Sequence, residues 1–197
     1  MCSNADSHNH NDVGSVTLYR DGRPLLIDVG VETYSKKTFS PQRYEIWTMQ
    51  SGWHNLPQFD PDGAKYDQQP GAAFAAADVT VTDALDGLAM DLAPAYGSVP
   101  GLGRYRRSVH LTDAGLTLHD ETDYPGTVAL TLMSVEKPAV DGDTIAFGAL
   151  AAAAVTGADK IVTEAVPITD PRLRQAWPDT LYRTRIYFTA ALTVEVR

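Results

Sequence analysis

Apolar residues alternate with other residues in several short runs, which is the pattern of strands that bury one face. The first region spans residues 13–30, where two alternating runs flank the turn pair Asp21-Gly22. A tight pair of this kind between alternating runs is a strong hairpin signal. The pattern therefore predicts a β-hairpin over 13–30. Asp28 falls in its second strand, on the face opposite to its apolar neighbours.

Alternation resumes after Ala72 and continues to the end of the chain. The predicted strands are 79–81, 88–92, 104–111, 116–121, 128–132, 145–147, 151–155, 161–166, 181–188 and 192–196. The alanine run at 149–154 has helical propensity, but its short length and flanking glycines favour a strand or loop. Many short strands without long helices predict an all-β fold, an antiparallel β-sandwich of stacked sheets resembling a supersandwich. With no internal repeat and no clear linker, residues 1–197 are predicted to form a single domain.

Residues 31–70 break the alternation with polar, aromatic and proline-rich sequence. Within them, 45–50 predict a short helical turn. A connection of this length is unusual inside a compact domain and is often functional. We therefore expect a long irregular region here, and its aromatic residues, with Arg43 beside Tyr44, form either a sugar-binding platform or packing that fixes the loop.

The amino-acid composition and net charge limit the classes of function that the chain can have. The hydrophobic fraction of 44% and charged fraction of 21% are ordinary for a globular chain with a core. The net charge of −9 offers no basic stripe for nucleic acid, so an acidic ligand must be held by local cations or a metal. No apolar run reaches the length of a membrane span, no signal-peptide pattern opens the chain, and the single cysteine, Cys2, can form no internal disulfide.

Possible metal-binding or acid–base side chains are concentrated near the start of the chain, where His8, His10 and Asp12 occupy alternate positions. In an extended segment these side chains would share one face. Imidazole and carboxylate are common zinc ligands, and a three-ligand site needs partners from elsewhere in the chain. Asp28 and His54 are the candidates, which predicts a zinc site of His10, Asp28 and His54 with His8 free for other work.

The residue types alone also allow other interpretations of these positions. In one of them, Asp28 simply ends a strand and His54 is a surface loop residue. Asp12 is either a distal ligand or a group that orients one of the histidines. His110 and His119 flank a hairpin turn, where structural or surface roles are expected.

Other catalytic patterns are excluded. Gly101-Leu-Gly103 does not connect a strand to a helix, so it is not a dinucleotide-binding loop. The chain has no Gly-x-Ser-x-Gly elbow. Cys2 is too near a free end to serve as a nucleophile.

Three segments together resemble the C-terminal part of heparinase II/III-like polysaccharide lyases. They are the run from Asn4 to Ser15, which holds a His-Asn-His-x-Asp-x-Gly motif, the run from Pro24 to Gly30, and His54-Asn55. Further similar stretches are Pro167 to Arg174, Trp177 and Leu181-Tyr-Arg183. The resemblance covers nearly the whole chain, and the motif with its downstream Asp and His is fairly specific.

The resemblance implies an N-terminal α/α toroid paired with a C-terminal antiparallel β-sandwich. It also implies β-elimination on uronic-acid polysaccharides such as glycosaminoglycans or alginate. By similarity, His10, Asp28 and His54 match the ligands of one structural zinc ion, and His8 matches a catalytic histidine that faces the substrate. Arg43 and Tyr44 lie in a loop region that contributes substrate contacts in such lyases.

The toroid, which carries the tyrosine assigned to proton transfer, would precede Met1 and is absent from this sequence. We therefore expect a carbon–oxygen lyase domain that has little or no activity alone and needs the toroid and an acidic polysaccharide as partners. A homo-oligomer is also possible, and the family points to a periplasmic or secreted full-length protein. The alternative is a non-catalytic carbohydrate-binding or structural β-sandwich.

Overall fold

The computed structural model describes residues 3–4 and 9–197. Its strands are β1 Ser3–Asn4, β2 Leu18–Arg20, β3 Arg23–Leu26, β4 Pro57–Phe59, β5 Gly71–Ala75, β6 Ala77–Val81, β7 Gly87–Asp91, β8 Tyr105–Thr112, β9 Gly115–Thr122, β10 Val128–Ser134, β11 Pro138–Asp141, β12 Thr144–Phe147, β13 Ala151–Pro167 and β14 Thr180–Val196. Short 3₁₀-helices span Lys37–Phe39, Pro41–Glu45, Trp47–Met49, Ser51–Trp53, Ala93–Tyr96 and Leu173–Gln175. No helix in these described ranges has the length and apolar character needed to cross a membrane.

The main sheet is antiparallel, and β14 is its central member. Its strand order is β11-β12-β13-β14-β9-β8-β7-β6, and β10 also pairs with β14 and with β4. The first half of β14 pairs with β10 and the second half with β9, so this strand belongs to both layers. The register between β13 and β14 shifts after Thr156, and Gly157 and Ala190 both have positive φ there. Such bulges bend a strand pair. The four predicted strands at 151–155, 161–166, 181–188 and 192–196 are therefore two bent strands of 17 residues each.

The core lies between the two halves of this bent sheet. Leu118 and Val194 from one layer belong to the same buried cluster as Leu130 and Ile186 from the other. Phe59 is fully buried in this cluster, with the rings of Tyr96 and Tyr105 edge-on to it at 4.8 and 5.5 Å between centroids. Alternating strands that bury one face each produce this arrangement. The prediction of an antiparallel β-sandwich is confirmed.

The predicted hairpin at 13–30 is present but shorter than expected. β2 and β3 pair around Asp21-Gly22, and Asp21 has the positive φ of 51° that such a turn requires. Asp28 does not lie in the second strand, because β3 ends at Leu26. Its carboxylate accepts a hydrogen bond from the amide of Gly30, which has φ +84°, so the chain turns at Asp28 instead of continuing as a strand.

The irregular region 31–70 is a chain of tight turns that packs against the sandwich. Four of the 3₁₀-helices follow one another from Lys37 to Trp53, and the predicted turn at 45–50 overlaps two of them. Several of its polar side chains are buried, including Thr38, Thr48 and Ser51. The region therefore carries His54 into the interior on a fixed backbone.

Candidate metal centre

Four side chains converge where the turns meet the β2–β3 hairpin. His10, Asp12, Asp28 and His54 each offer one possible ligand atom, and these atoms lie within 4.8 Å of one another. Residues 9–17 form no strand, so the alternation expected from an extended segment does not place them. The convergence of His10, Asp28 and His54 agrees with the predicted set, and Asp12 joins it. His8, the predicted catalytic residue, lies outside the described residues.

Asp28 is the anion at the centre of the group. Its Oδ1 lies 3.9 Å from Nδ1 of His10, and its Oδ2 lies 3.4 Å from Nδ1 of His54. Burial alone would raise the pKa of Asp28. The imidazole of His54, the Gly30 amide and His10 outweigh that effect and lower the pKa to about 2. Asp28 is therefore a carboxylate at neutral pH.

His54 presents an unpartnered nitrogen to that carboxylate. Its side chain is 1% exposed, and Nε2 lies 3.1 Å from the backbone oxygen of Thr48. A carbonyl oxygen only accepts, so Nε2 donates in this contact and Nδ1 is the ring nitrogen that faces Asp28. This Nδ1 is buried without a hydrogen-bond partner. A cation held by Nδ1 of His54 and the carboxylate of Asp28 would give this buried nitrogen a partner.

His10 supplies a second neutral imidazole. Burial, followed by the nearby His54, lowers its pKa from 6.5 to about 4. The two rings are 5.2 Å apart between centroids and inclined by 46°. The amide of Asn11 donates to the carbonyl of Met49 and ties this segment to the turns before His54. A neutral buried imidazole is the form that binds a metal.

Asp12 is half-buried and belongs to the same group. Burial raises its pKa, the neighbouring Asp28 carboxylate adds to the rise, and His54 opposes it. Its position within the group fits either a fourth ligand or a residue that orients a histidine. Both interpretations from the sequence stay open.

Asn55, beside His54, connects three chain segments near the metal centre by hydrogen bonds. Its Nδ2 donates to the carbonyls of Val16 and Ile27 at 2.6 and 3.1 Å, and its Oδ1 accepts from the amide of Met133 at 2.7 Å. The side chain is fully buried. Sequence reasoning noted Asn55 only as part of the family resemblance and gave it no role.

An ion pair beneath the site was missed altogether. Arg107 and Asp120 are fully buried and joined by two hydrogen bonds of 2.9 and 2.8 Å. The remaining nitrogen, Nη1, donates to the carbonyls of Gly14 and Asn55. A signal was available, because Arg107 falls on the inward face of β8 and directly opposite Asp120 on β9.

Arg43 and Tyr44, the predicted substrate-binding residues, both contact Asn9. Arg43 is buried and donates from Nε and Nη2 to the carbonyl of Asn9 at 3.0 and 2.8 Å, and from Nη1 to the carbonyl of Thr38 at 2.9 Å. The hydroxyl of Tyr44 donates to Oδ1 of Asn9 at 2.9 Å. Both side chains therefore fix the residue between His8 and His10.

His110 and His119 lie on β8 and β9, apart from the group. His110 is 3.8 Å from Asp86 in a partly exposed pair, and His119 contacts Thr193 and Glu121. Neither belongs to the cluster of possible ligands. Their contacts fit the surface role expected from the sequence.

Comparison with known proteins gives a consistent result. The family described as "Heparinase II/III-like, C-terminal" matches residues 2–196. A crystal structure of heparinase III matches with a TM-score of 0.59 and 20% identity over 96% of this chain, and a second heparinase III structure with 0.61 and 16% over 95%. The heparan sulfate lyase HepC from Pedobacter heparinus matches with 0.63 and 14% over 95%. In each case the chain spans about 30% of the matched protein. None of the curated proteins matches the sequence.

Proposed function

The chain belongs to the heparinase II/III-like C-terminal family, and from that premise we propose that it is the zinc-binding part of a polysaccharide lyase. The single observation that carries the proposal is the buried Nδ1 of His54, which has no hydrogen-bond partner and lies 3.4 Å from Oδ2 of Asp28. Together with neutral His10, these groups form a donor set that could hold a cation. The reaction is proposed to be β-elimination on a uronic-acid polysaccharide.

Zinc is the cation that this donor set fits best. Two imidazoles and a carboxylate are typical zinc ligands, whereas magnesium and calcium prefer oxygen alone. One ion held by His10, Asp28 and His54 would join the motif segment, the turn after β3 and the end of the 3₁₀ region. Zinc there would supply structural cross-linking and neutralise the partly buried Asp28 carboxylate. It has no assigned step in the reaction.

The reaction needs three groups around the sugar. A base removes the proton at C5 of the uronate, a positive or hydrogen-bonding group neutralises the carboxylate, and an acid protonates the leaving oxygen at C4. We assign one of the first two roles to His8, two residues before the ligand His10. A histidine suits either role because its usual pKa lies near neutrality. We assign Tyr44 to the substrate side beside Asn9, with Arg43 acting through the Asn9 backbone.

The remaining groups belong to the rest of the enzyme. The family resemblance assigns the other wall of the cleft to an α/α toroid, and this chain spans about 30% of the matched lyases. We propose that residues 1–197 form one domain that turns over no substrate alone. Heparan sulfate is the first substrate to test, because the matched HepC is a heparan sulfate lyase. Nothing in the matches supports alginate.

Complementation tests this function. The chain alone and the chain joined to a toroid from a matched lyase are each incubated with heparan sulfate, and the absorbance of unsaturated uronate is followed. We expect product only from the joined enzyme, and loss of at least about 100-fold in rate for His8→Ala. Turnover by the isolated chain would refute the half-site assignment. A well-folded joined protein without turnover would favour the alternative, a non-catalytic carbohydrate-binding module.

A further inference from the structure

Two exposed aromatic rings and a guanidinium form a patch on the surface of the 31–40 loop. Tyr34 is 48% exposed and Phe39 is 63% exposed, and their rings meet edge-on at 5.4 Å between centroids. The Cζ of Arg172 lies 4.5 Å from the centroid of Tyr34. Single exposed apolar residues are ordinary on a protein surface, whereas a clustered pair capped by a cation has the composition of a binding site.

Hydrogen bonds to a single carboxylate hold this patch in place. Asp170 accepts from the amide of Thr33 through Oδ2 and from the amides of Arg172 and Leu173 through Oδ1. One side chain therefore fixes the backbones that carry Tyr34 and Arg172. Because the loops are already ordered, a ligand would bind with little further loss of conformational entropy.

Hydrogen bonds connect the chain segments of the patch to those of the metal centre. Phe39 follows Thr38, whose carbonyl is bonded to the same Arg43 guanidinium that holds the carbonyl of Asn9. On the other side, the chain runs from Asp28 through Val29 to Tyr34, and Nε1 of Trp177 donates to the carbonyl of Val29 at 2.8 Å. These contacts connect the patch to the segments that carry His10 and Asp28.

The chemistry of the patch selects an acidic sugar. Aromatic faces pack against the C–H faces of pyranose rings, and a guanidinium pairs with a carboxylate or sulfate in two parallel hydrogen bonds. Lys36 is exposed on the same loop and adds positive charge in a protein whose net charge is −9. We propose that Tyr34, Phe39 and Arg172 form a subsite for an acidic sugar unit next to the metal centre. The proposal rests on the proposed function for the identity of the polymer.

Binding to the chain itself tests the subsite without requiring turnover. A tetrasaccharide from heparan sulfate is titrated into the ¹⁵N-labelled chain, and chitotetraose serves as the neutral probe. We expect the acidic probe to shift the amide signals of Tyr34, Phe39 and Arg172, and to bind at least about tenfold more tightly than the neutral probe. Phe39→Ala and Tyr34→Ala should each raise the Kd about threefold to tenfold. Arg172→Gln should raise the Kd and reduce its dependence on salt.

The β2–β3 hairpin offers matched controls. Tyr19 is 59% exposed and Arg20 is also exposed, and neither lies in the 31–40 loop. Tyr19→Ala and Arg20→Gln should leave the Kd unchanged, and thermal melting of every variant checks that the fold is intact. Equal losses in the control and patch variants would overturn the subsite.

The failures of the two proposals are distinguishable. If the chain binds the tetrasaccharide but the patch variants bind as well as the original, the subsite is wrong and the lyase assignment stands. If the chain binds neither probe, the subsite is also wrong, and the complementation assay still decides the lyase function. If the titration supports the subsite but the joined enzyme shows no turnover in the complementation assay, the lyase assignment is wrong and the subsite stands.

Discussion

The Nδ1 of His54 lies 3.4 Å from Oδ2 of Asp28 and has no hydrogen-bond partner, while Nε2 of the same ring lies 3.1 Å from the carbonyl of Thr48. The contact with the carbonyl uses Nε2, so Nδ1 is the ring nitrogen that faces the Asp28 carboxylate. The His54 side chain is only 1% exposed, so bulk water does not reach Nδ1 to serve as its hydrogen-bond partner. Asp28 and His54 are therefore two of the four residues that could hold a cation here.

Zinc should stabilise the chain through this arrangement. At a free zinc concentration 100-fold above Kd, the gain is about 2.7 kcal/mol, or a rise in Tm of about 5–10 °C for a chain of this size. Asp28→Asn and His54→Gln should each abolish the rise, measured by calorimetry after chelation and after zinc addition. His110→Gln is the matched control and should keep it. Retention of one zinc per chain by the Asp28→Asn, His54→Gln double variant would remove the ligand assignment.

Asp12→Asn separates the two roles open to Asp12. A residue that only orients a ligand typically changes metal affinity by about 10–100-fold when it is replaced. We expect a loss of this size in a competition titration with a zinc-binding dye, and a much larger loss for Asp28→Asn. Equal losses for the two variants would make Asp12 a ligand.

Arg43→Lys tests whether Arg43 acts through the backbone of Asn9. Lysine keeps the charge but replaces a planar fork that donates three hydrogen bonds to two carbonyls. We expect a fall in zinc affinity of about tenfold, because Asn9 precedes His10. Lys37→Arg, in the exposed pair with Glu45, is the control and should change nothing measurable. An unchanged zinc affinity in Arg43→Lys, with weakened tetrasaccharide binding, would instead favour direct substrate contact.

The strands and their faces follow from the sequence because burial on one face leaves a period of two. The turn at Asp21-Gly22, the strands β6 to β10 and the strand β12 are predicted for that reason, whereas β11 is not. What the period does not reveal is continuity through a bulge. β13 and β14 look like four strands because the shift at Gly157 and Ala190 interrupts the alternation without ending the pairing.

The site was predictable as a set of residue types, and its backbone was not. His10, Asp28 and His54 converge as expected, yet neither His10 nor Asp28 lies in a strand. The segments that carry His10 and Asp28 are held by hydrogen bonds from side chains such as Arg43 and Asn55. Such segments show no alternation of apolar residues, so their backbone course cannot be predicted from the sequence pattern. The buried Arg107 was missed because an arginine between alternating residues is ordinarily assigned to the solvent face.

The buried pair Arg107–Asp120 should be sensitive to the loss of one partner. Arg107→Met leaves a buried carboxylate without its cation and removes the hydrogen bonds to Gly14 and Asn55, so the free energy of unfolding should fall by about 3–5 kcal/mol. Adding Asp120→Leu to Arg107→Met removes the unpaired buried carboxylate, so the double variant should regain part of the lost free energy of unfolding. Denaturant unfolding in chelator measures both. In the exposed pair of Arg104 and Glu121, 3.9 Å apart, Arg104→Met should cost less than about 1 kcal/mol.

Asn55 connects the stability of the sandwich to the geometry of the metal centre. Asn55→Ala leaves two carbonyls and one amide without partners in a fully buried position, which should lower the free energy of unfolding by about 3 kcal/mol. It also frees the segments before and after the hairpin, so the zinc-induced rise in Tm should shrink. Gln42→Ala, at an exposed position, should alter neither quantity. A variant that loses stability but keeps the full zinc-induced rise would show that Asn55 supports the sandwich alone, because the ligands would then hold their positions without it.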